Sequence, residues 1–228
     1  AIKLIEKPTY FWVLGISISL AGLITTHNIM TVLFIPVWIL FIVGKVIFDR
    51  REDSIKPIIV SVLLGVGLSA FFWLPAIFEK HLILLSQTPI ADRSLYFVKL
   101  SQLLLPRWGY GVPTDPNGFT YQLGLSHLAV LFFSIFVLFF FWLRQKTKLK
   151  GILTKFSFLL IYIILVFIFL MTKPSALLWE NLPLLSEINY PWTGLGILGF
   201  LTSLLAGFLC GQKITRNISV ALSLIAVV

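Results

Sequence analysis

One apolar run near the start of the chain limits the possible folds more than any other feature. The 39 residues from Tyr10 to Phe48 contain a single charged side chain, that of Lys45. As one α-helix they would extend about 58 Å, whereas the hydrocarbon core of a bilayer is ~30 Å thick. The run must therefore fold back. Its only polar cluster, Thr25-Thr26-His27-Asn28, predicts a tight turn between two spans, Tyr10–Thr25 and Ile29–Ile47.

The composition of the whole chain places it among membrane proteins. Hydrophobic residues make up 58% of the sequence and charged residues 12%, whereas soluble domains average about 25% charged residues. In lipid, backbone polar groups must be paired internally, which leaves helices or a closed barrel. The apolar runs are continuous rather than alternating, which favours helices. We therefore predict an all-α, polytopic transmembrane helical bundle.

Further apolar blocks predict four more complete spans and the start of a seventh. The complete ones are Pro57–Phe78, Leu123–Leu143, Phe156–Thr172 and Gly194–Gly211, and the unfinished one is Asn217–Val228. Small residues in the third span (Gly65, Gly67, Ser69) and in the sixth (Gly199, Ser203, Gly207, Gly211) predict close helix contacts. We expect residues 1–228 to be a single transmembrane domain and a fragment of a longer chain.

The distribution of basic residues predicts how the chain crosses the membrane. Counted on alternate sides of the predicted spans, thirteen Lys and Arg residues lie on one side and five on the other. The positive-inside rule puts the richer side in the cytoplasm of a plasma or inner membrane, together with the N-terminus of this sequence. The intervals 79–122 and 173–192 are then extracytoplasmic loops. The net charge of +9 has the same explanation, and we predict no binding to nucleic acid.

The first of these intervals, Glu79–Gln122, is the only long stretch that apolar residues do not dominate, and we expect any chemistry there. Ser94–Leu105 has the pattern of a short helix lying in the membrane interface. Asp92-Arg93 within the loop has the pattern of a local turn pair.

His27-Asn28 is the sharpest polar signal at the edge of a span. Polar groups near hydrocarbon are costly and are often functional, so the pair could bind a phosphate or a sugar at the outer face. The alternative is a turn former and helix cap, because Asn and similar residues favour such positions.

Glu79 and Arg107 also allow two interpretations each. Glu79 could act as an acid or base or as a metal partner, or it could belong to an interfacial cluster of snorkelling side chains. Arg107 beside Trp108 could hold a lipid-linked phosphate through two hydrogen bonds, or the pair could anchor the chain at the interface. All three histidines map to the outer side, but none has helical ligand spacing. We predict no cofactor, and a divalent metal stays open.

Four short motifs carry a resemblance to a known family. They are Thr26-His27-Asn28, Phe72-Trp73-Leu74-Pro75-Ala76 with Glu79 after it, Trp108-Gly109-Tyr110-Gly111 followed by Tyr121-Gln122-Leu123-Gly124, and Tyr190-Pro191-Trp192. Together they resemble the bacterial and archaeal polytopic membrane family labelled "6-pyruvoyl-tetrahydropterin synthase-related". That family in turn resembles the GT-C superfamily of glycosyltransferases.

The resemblance implies a GT-C-like fold and transfer of a sugar from a polyprenyl-phosphate donor at the extracytoplasmic face, during envelope glycan or glycoprotein synthesis. It implies substrate-binding roles for His27, Asn28, Arg107, Trp108 and Trp192, with Glu79 as the candidate catalytic residue. The implied partners are membrane lipids and the polyprenyl-phosphate-linked sugar donor.

The sequence departs from that pattern in two places. The acidic residue expected in the first outer loop is not evident, and Thr193 stands where the family tends to have Arg after the Pro-Trp pair. Two alternatives therefore stay open. One is a non-catalytic integral membrane scaffold or subunit of envelope assembly, and the other is a flippase for a lipid-linked substrate.

Overall fold

The computed structural model describes residues 1–82, 92–105, 107, 110, 120–144, 151–186 and 188–210. Within these ranges every regular element is a helix, which confirms the all-α prediction. The chain forms two compact units, Ala1–Ile90 and Ala91–Val228.

The described residues of the first unit, 1–82, form five α-helices: α1 (Ile2–Glu6), α2 (Tyr10–Thr26), α3 (Asn28–Asp49), α4 (Ile55–Leu68) and α5 (Ala70–Phe78). Only His27 separates α2 from α3, so the turn predicted at Thr25–Asn28 is confirmed. The charged loop that follows α3 contains a short 3-10 helix, Glu52–Ser54.

Small side chains bring α2 and α4 into close contact. The Ser17 hydroxyl donates to the carbonyls of Val13 and Ser61, at 2.8 and 3.1 Å. A Cβ atom added to Gly65 would lie 3.0 Å from the side chain of Leu20 and from the Ser17 carbonyl oxygen, whereas one added to Gly67 would meet nothing within 4 Å. The prediction of a close contact is therefore correct for Gly65 and wrong for Gly67, because only one face of α4 meets α2.

The predicted third span is divided at Ser69, where the axes of Glu52–Leu68 and Ala70–Phe78 differ by 66°. A helix that ends leaves its last carbonyls without backbone donors. Here the indole of Trp73 and the hydroxyl of Ser69 both donate to the Val66 carbonyl, at 2.9 and 3.1 Å. Side chains at the break thus satisfy a carbonyl that the bend releases.

The second unit is built on three long helices, α7 (Leu125–Arg144), α8 (Gly151–Leu170) and α11 (Gly194–Cys210). Its connections contain three short helices: α6 (Leu100–Leu104), α9 (Ala176–Asn181) and α10 (Pro183–Ser186). They also contain 3-10 helices at Arg93–Tyr96, Lys173–Ser175 and Pro191–Thr193. The long helices correspond to the predicted fourth, fifth and sixth spans.

The single interfacial helix predicted over Ser94–Leu105 is wrong in extent. The 3-10 helix Arg93–Tyr96 and the short α6 are separated by extended backbone at Phe97 and Lys99. Between them the Val98 N–H donates to the Met171 carbonyl at 2.8 Å. This long-range hydrogen bond uses a donor that a continuous helix would need for its own backbone.

The buried face of α11 contains large residues rather than the predicted stripe of small residues. Leu198, Leu201 and Leu205 are at most 1% exposed. Ser203 and Gly207 are exposed, and a Cβ at Gly207 would meet nothing within 4 Å. The prediction of a packing stripe is therefore wrong at these two positions, and Gly211 lies outside the described residues.

Two helices in the described ranges are long and apolar enough to cross a membrane, Asn28–Asp49 and Pro191–Leu209. The number rises to four if each sharply bent pair counts as one span. The two pairs are Glu52–Leu68 with Ala70–Phe78, bent by 66°, and Phe156–Leu170 with Lys173–Asn181, bent by 89°. These lengths and compositions are consistent with a membrane location. The predicted seventh span, Asn217–Val228, lies outside the described residues.

Candidate functional site

The His27-Asn28 pair makes the contacts of a helix cap. The His27 Nδ1 atom accepts a hydrogen bond from the Met30 N–H at 3.3 Å, and the Asn28 side-chain oxygen accepts one from the Ile29 N–H at 2.8 Å. Both side chains are nevertheless exposed. The geometry matches the capping interpretation and leaves the outer edges of both side chains accessible to a ligand.

Glu79 directly follows α5, and its backbone N–H donates to the Pro75 carbonyl at 2.8 Å. Its side chain is exposed, as is that of His81. In the described part of the chain, no group of three His, Cys, Asp or Glu side chains could hold a metal ion. Nothing in this geometry distinguishes Glu79 from an ordinary interfacial carboxylate.

Arg107 directly precedes the segment 108–119, which includes Trp108 and of which only Tyr110 belongs to the described residues. Its N–H donates to the Thr120 hydroxyl at 2.7 Å, and its carbonyl accepts the Thr120 N–H at 3.2 Å. Thr120 is buried, whereas the Arg107 side chain is exposed. The two hydrogen bonds join the ends of this segment and fix the backbone from which the guanidinium extends.

Trp192, the remaining predicted site residue, belongs to a group of four aromatic side chains, Tyr96, Tyr121, Tyr190 and Trp192, which we call the aromatic cluster. Tyr121 and Trp192 stack in parallel, with ring centroids 4.7 Å apart and an interplanar angle of 8°. Tyr190 lies 5.8 Å from Trp192 and 4.8 Å from Tyr96, edge-on to the latter. The cluster therefore joins residues from both predicted outer intervals.

Two polar groups of the aromatic cluster are unusual. The Trp192 Nε1 atom is buried and has no hydrogen-bond partner among the residues that the structure describes. Leaving such a donor unpaired costs about 1–3 kcal/mol, so an acceptor from outside would be bound favourably. The pKa of Tyr121 is raised by burial and by the neighbouring hydroxyls of Tyr96 and Tyr190. Its phenol therefore keeps its proton and can act as a donor.

Arg93 holds the segment that leads to Tyr190 and Trp192. Its guanidinium donates to the carbonyls of Ile188 at 2.9 Å, Trp179 at 3.3 Å and Ser186 at 2.6 Å. It also lies 5.9 Å from the ring centroid of Trp179. The sequence pattern, which predicts a local turn pair at Asp92-Arg93, does not reveal this role. Only the Asp92 part is local, since its carboxylate accepts the Ser94 N–H at 2.9 Å.

That local contact has an electrostatic consequence. Hydrogen bonds from Ser94 stabilise the charged form of the Asp92 carboxylate and lower its pKa. The carboxylate is thus an anchor of the turn, which presents the neighbouring guanidinium of Arg93 to its carbonyl acceptors.

The predicted site residues divide between the two units. His27, Asn28 and Glu79 belong to the first, whereas Arg107 and Trp192 belong to the second. Comparison with protein-family models, with curated proteins and with solved structures finds no match for this chain. The family resemblance therefore stays a prediction.

Proposed function

We propose that the chain is part of a polytopic membrane glycosyltransferase of the GT-C type, which takes a sugar from a polyprenyl-phosphate donor at the extracytoplasmic face. The observation that carries this proposal is the aromatic cluster, with its buried and unpaired Trp192 N–H. Such a group offers flat apolar surface together with hydrogen-bond donors and suits a ligand that is rich in oxygen acceptors.

The proposed topology has about six complete spans and the start of a seventh, with the N-terminus of this sequence in the cytoplasm. Contacts between the intervals 79–122 and 173–192 support placing both on one side of the membrane. The hydrogen bond from Arg93 to the Ile188 carbonyl and the stacking of Tyr121 on Trp192 each join one interval to the other.

In this proposal the ligand's oxygens accept hydrogen bonds from Trp192 Nε1 and from the Tyr121 hydroxyl. Arg107, with Trp108 next to it in the sequence, binds the donor phosphate. His27 and Asn28 belong to the first unit and stay separate candidates for binding a phosphate or a sugar hydroxyl. Glu79, in the first unit, stays a separate candidate for the catalytic base. In the reaction a base takes the proton of the acceptor hydroxyl while the sugar's anomeric carbon passes from the phosphate oxygen to the acceptor oxygen. The polyprenyl phosphate leaves with the bonding electron pair.

The test is transfer of radiolabelled sugar from polyprenyl-phosphate donors by the full-length protein in membranes. Trp192→Phe keeps an aromatic ring but removes the N–H, and we expect it to lower transfer about tenfold. Arg107→Ala and His27→Ala should abolish transfer while the protein remains inserted. Trp12→Phe, a change at a partly exposed ring on α2, is the matched control.

The outcomes of this assay test the proposed site and the proposed activity separately. Transfer that none of the three site variants reduces would keep the enzyme but overturn the site. Absence of transfer from every donor tested would overturn the glycosyltransferase proposal itself.

A non-catalytic membrane scaffold is the second candidate. The observation that favours it is that polar side chains expected to bind ligand make structural contacts, as His27 does in capping α3. A scaffold would show no transfer from any donor, and Trp192→Phe would change its stability but no sugar-dependent signal.

A further inference from the structure

An apolar groove runs between α3 and α4 in the first unit. Its volume is about 420 Å³, and Trp38 and aliphatic side chains line it throughout. The floor consists of Ile42, Val46 and Ile58, which belong to the buried core of this unit. The walls are about half exposed or more, as the side chains of Val43 and Ile59 show at 47% and 53%.

The lining of the groove differs from the helix contact in the same unit. Where α2 meets α4, the contact is made by Ser17, Ser61 and Gly65, with a serine–carbonyl hydrogen bond across it. Helices in membranes associate through such small residues because lipid tails are as apolar as leucine. The groove contains branched aliphatic side chains and no Gly, Ala, Ser or Thr. It therefore suits a flexible hydrocarbon chain better than another helix.

Positive charge lies at the end of the groove where α3 turns into α4. Ile47 and Ile55 line the groove at this end, and the nearby side chains of Arg50, Arg51 and Lys56 are exposed. Among the described residues, no ion pair involves these three cations. The neighbouring carboxylate of Asp49 is paired with Lys45. The acids Glu52 and Asp53 are also exposed here, so three unpaired cations stand beside two carboxylates.

The length of the groove fits one leaflet of a bilayer. From Trp38 to Ile47, α3 rises about 14 Å, which is roughly half of the ~30 Å hydrocarbon core. A lipid whose phosphate lies at the turn would thus place one acyl chain along the groove, from the interface to the bilayer centre.

We propose that the α3–α4 groove binds one acyl chain of an anionic phospholipid, whose phosphate is held by Arg50, Arg51 and Lys56. The site rests on the proposed membrane location alone and does not depend on sugar transfer. Cations near an anionic leaflet each contribute a favourable interaction, and the guanidinium groups can also hold phosphate oxygens bidentately.

Arg50 allows the phosphate contact to be separated from the fold. It ends α3 in the left-handed conformation, with φ 52° and ψ 46°. Glycine adopts this conformation without steric cost and is common after a helix. The variant Arg50→Gly should therefore fold at least as well as the natural chain while lacking one of the three cations.

The experiment measures the lipid retained by the purified full-length protein after incubation with vesicles of phosphatidylcholine, with or without an equal amount of phosphatidylglycerol. We expect retention of phosphatidylglycerol over phosphatidylcholine. Each of Arg50→Gly, Arg51→Gln and Lys56→Gln should reduce that preference about fivefold, and Ile59→Trp should reduce retention of both lipids by filling the groove. Lys173→Gln, an exposed cation of the second unit, is the control and should change nothing.

Equal retention of the two lipids by the natural chain would overturn the proposal. It would also be overturned if the three cation variants kept the full preference, or if Ile59→Trp left the retention of both lipids unchanged. Unfolding temperatures in phosphatidylcholine alone verify that each variant is folded. Loss of lipid preference in variants that still transfer sugar would show that the two proposals are independent.

Discussion

At the scale of single residues, Arg93 connects two distant segments of the second unit. A guanidinium presents five donors in a fixed planar arrangement, and here three of its nitrogens each donate to a backbone carbonyl. These acceptors lie in the connection between α8 and α11, which consists mainly of short helices. Short helices leave their last carbonyls without backbone donors, and Arg93 supplies donors to the carbonyls of Trp179 in α9 and Ser186 at the end of α10.

Replacement of Arg93 tests this role. Arg93→Gln should lower the free energy of unfolding of the second unit by about 2 kcal/mol, because three carbonyls lose a charged donor. Arg93→Lys should restore only part of it, since an ammonium group cannot reach the three acceptors in one plane. Chemical denaturation in detergent measures both, with Lys173→Gln as the control. Equal stability of the glutamine variant and the natural chain would contradict the role.

The raised pKa of Tyr121 predicts a pH dependence. The unfolded chain loses this phenolic proton near the ordinary value of 10.0, whereas the folded chain retains it to higher pH. The stabilisation is therefore fully present below pH 10 and is lost as the pH rises through the folded pKa. The advantage in unfolding free energy of the natural chain over Tyr121→Phe should decrease between pH 9 and pH 11.

The matched control is Tyr10→Phe, at a side chain that is 90% exposed. Its unfolding free energy should follow that of the natural chain across the same pH range. A difference between Tyr121→Phe and the natural chain that is independent of pH would contradict the prediction.

At the scale of the elements, α4 has one face on which only small residues fit and another face on which larger residues also fit. The close contact with α2 at Gly65 fixes the distance between the two helices, whereas Gly67, two residues away, has open space around it. Two residues on a helix differ by about 200° in direction, so they lie on opposite faces. The pair offers a matched comparison within one helix.

Gly65→Ala should lower the free energy of unfolding of the first unit by about 1–3 kcal/mol, because the new methyl group overpacks the contact with Leu20 and the Ser17 carbonyl. Gly67→Ala should leave stability unchanged or raise it slightly, since alanine has the higher helix propensity. Thermal unfolding in detergent distinguishes them. If the two variants behave alike, the α2–α4 contact is not as close as described.

At the scale of the whole molecule, the proposed orientation in the membrane is inferred from the basic residues. The apolar helices themselves could cross the membrane in either direction. The turn between α3 and α4 carries Arg50 and Arg51 and is expected in the cytoplasm. Lys173, which begins the connection between α8 and α9, is expected outside.

Single cysteines in a Cys210→Ser background test this orientation. An impermeant thiol reagent added to intact cells should label Lys173→Cys but not Glu52→Cys, and both should react after the membranes are opened. Both side chains are exposed in the structure, so a lack of labelling reports the membrane rather than burial. The opposite pattern would mean that the topology is the reverse of the proposed one. Labelling of both cysteines in intact cells would contradict the proposed topology. Cys210→Ser alone is the blank.

By itself the sequence determined the helical class, the turn at His27 and the approximate ends of the long helices. These features follow from local causes: continuous apolar runs longer than a bilayer is thick, and short polar clusters that interrupt them. Glu79, Arg107 and the His27-Asn28 pair could be named from the same signals, but their contacts could not.

Only the tertiary structure decided which side chains meet. The three carbonyls that bind Arg93 are 86 to 95 residues away in the chain, and Trp192 stacks on Tyr121 across a similarly long interval. The different roles of Gly65 and Gly67 were likewise decided by the tertiary structure, because the two are the same residue type and differ only in their neighbours. Pairing at such separations depends on how helix faces and connections pack, and no pattern of nearby residues records that packing.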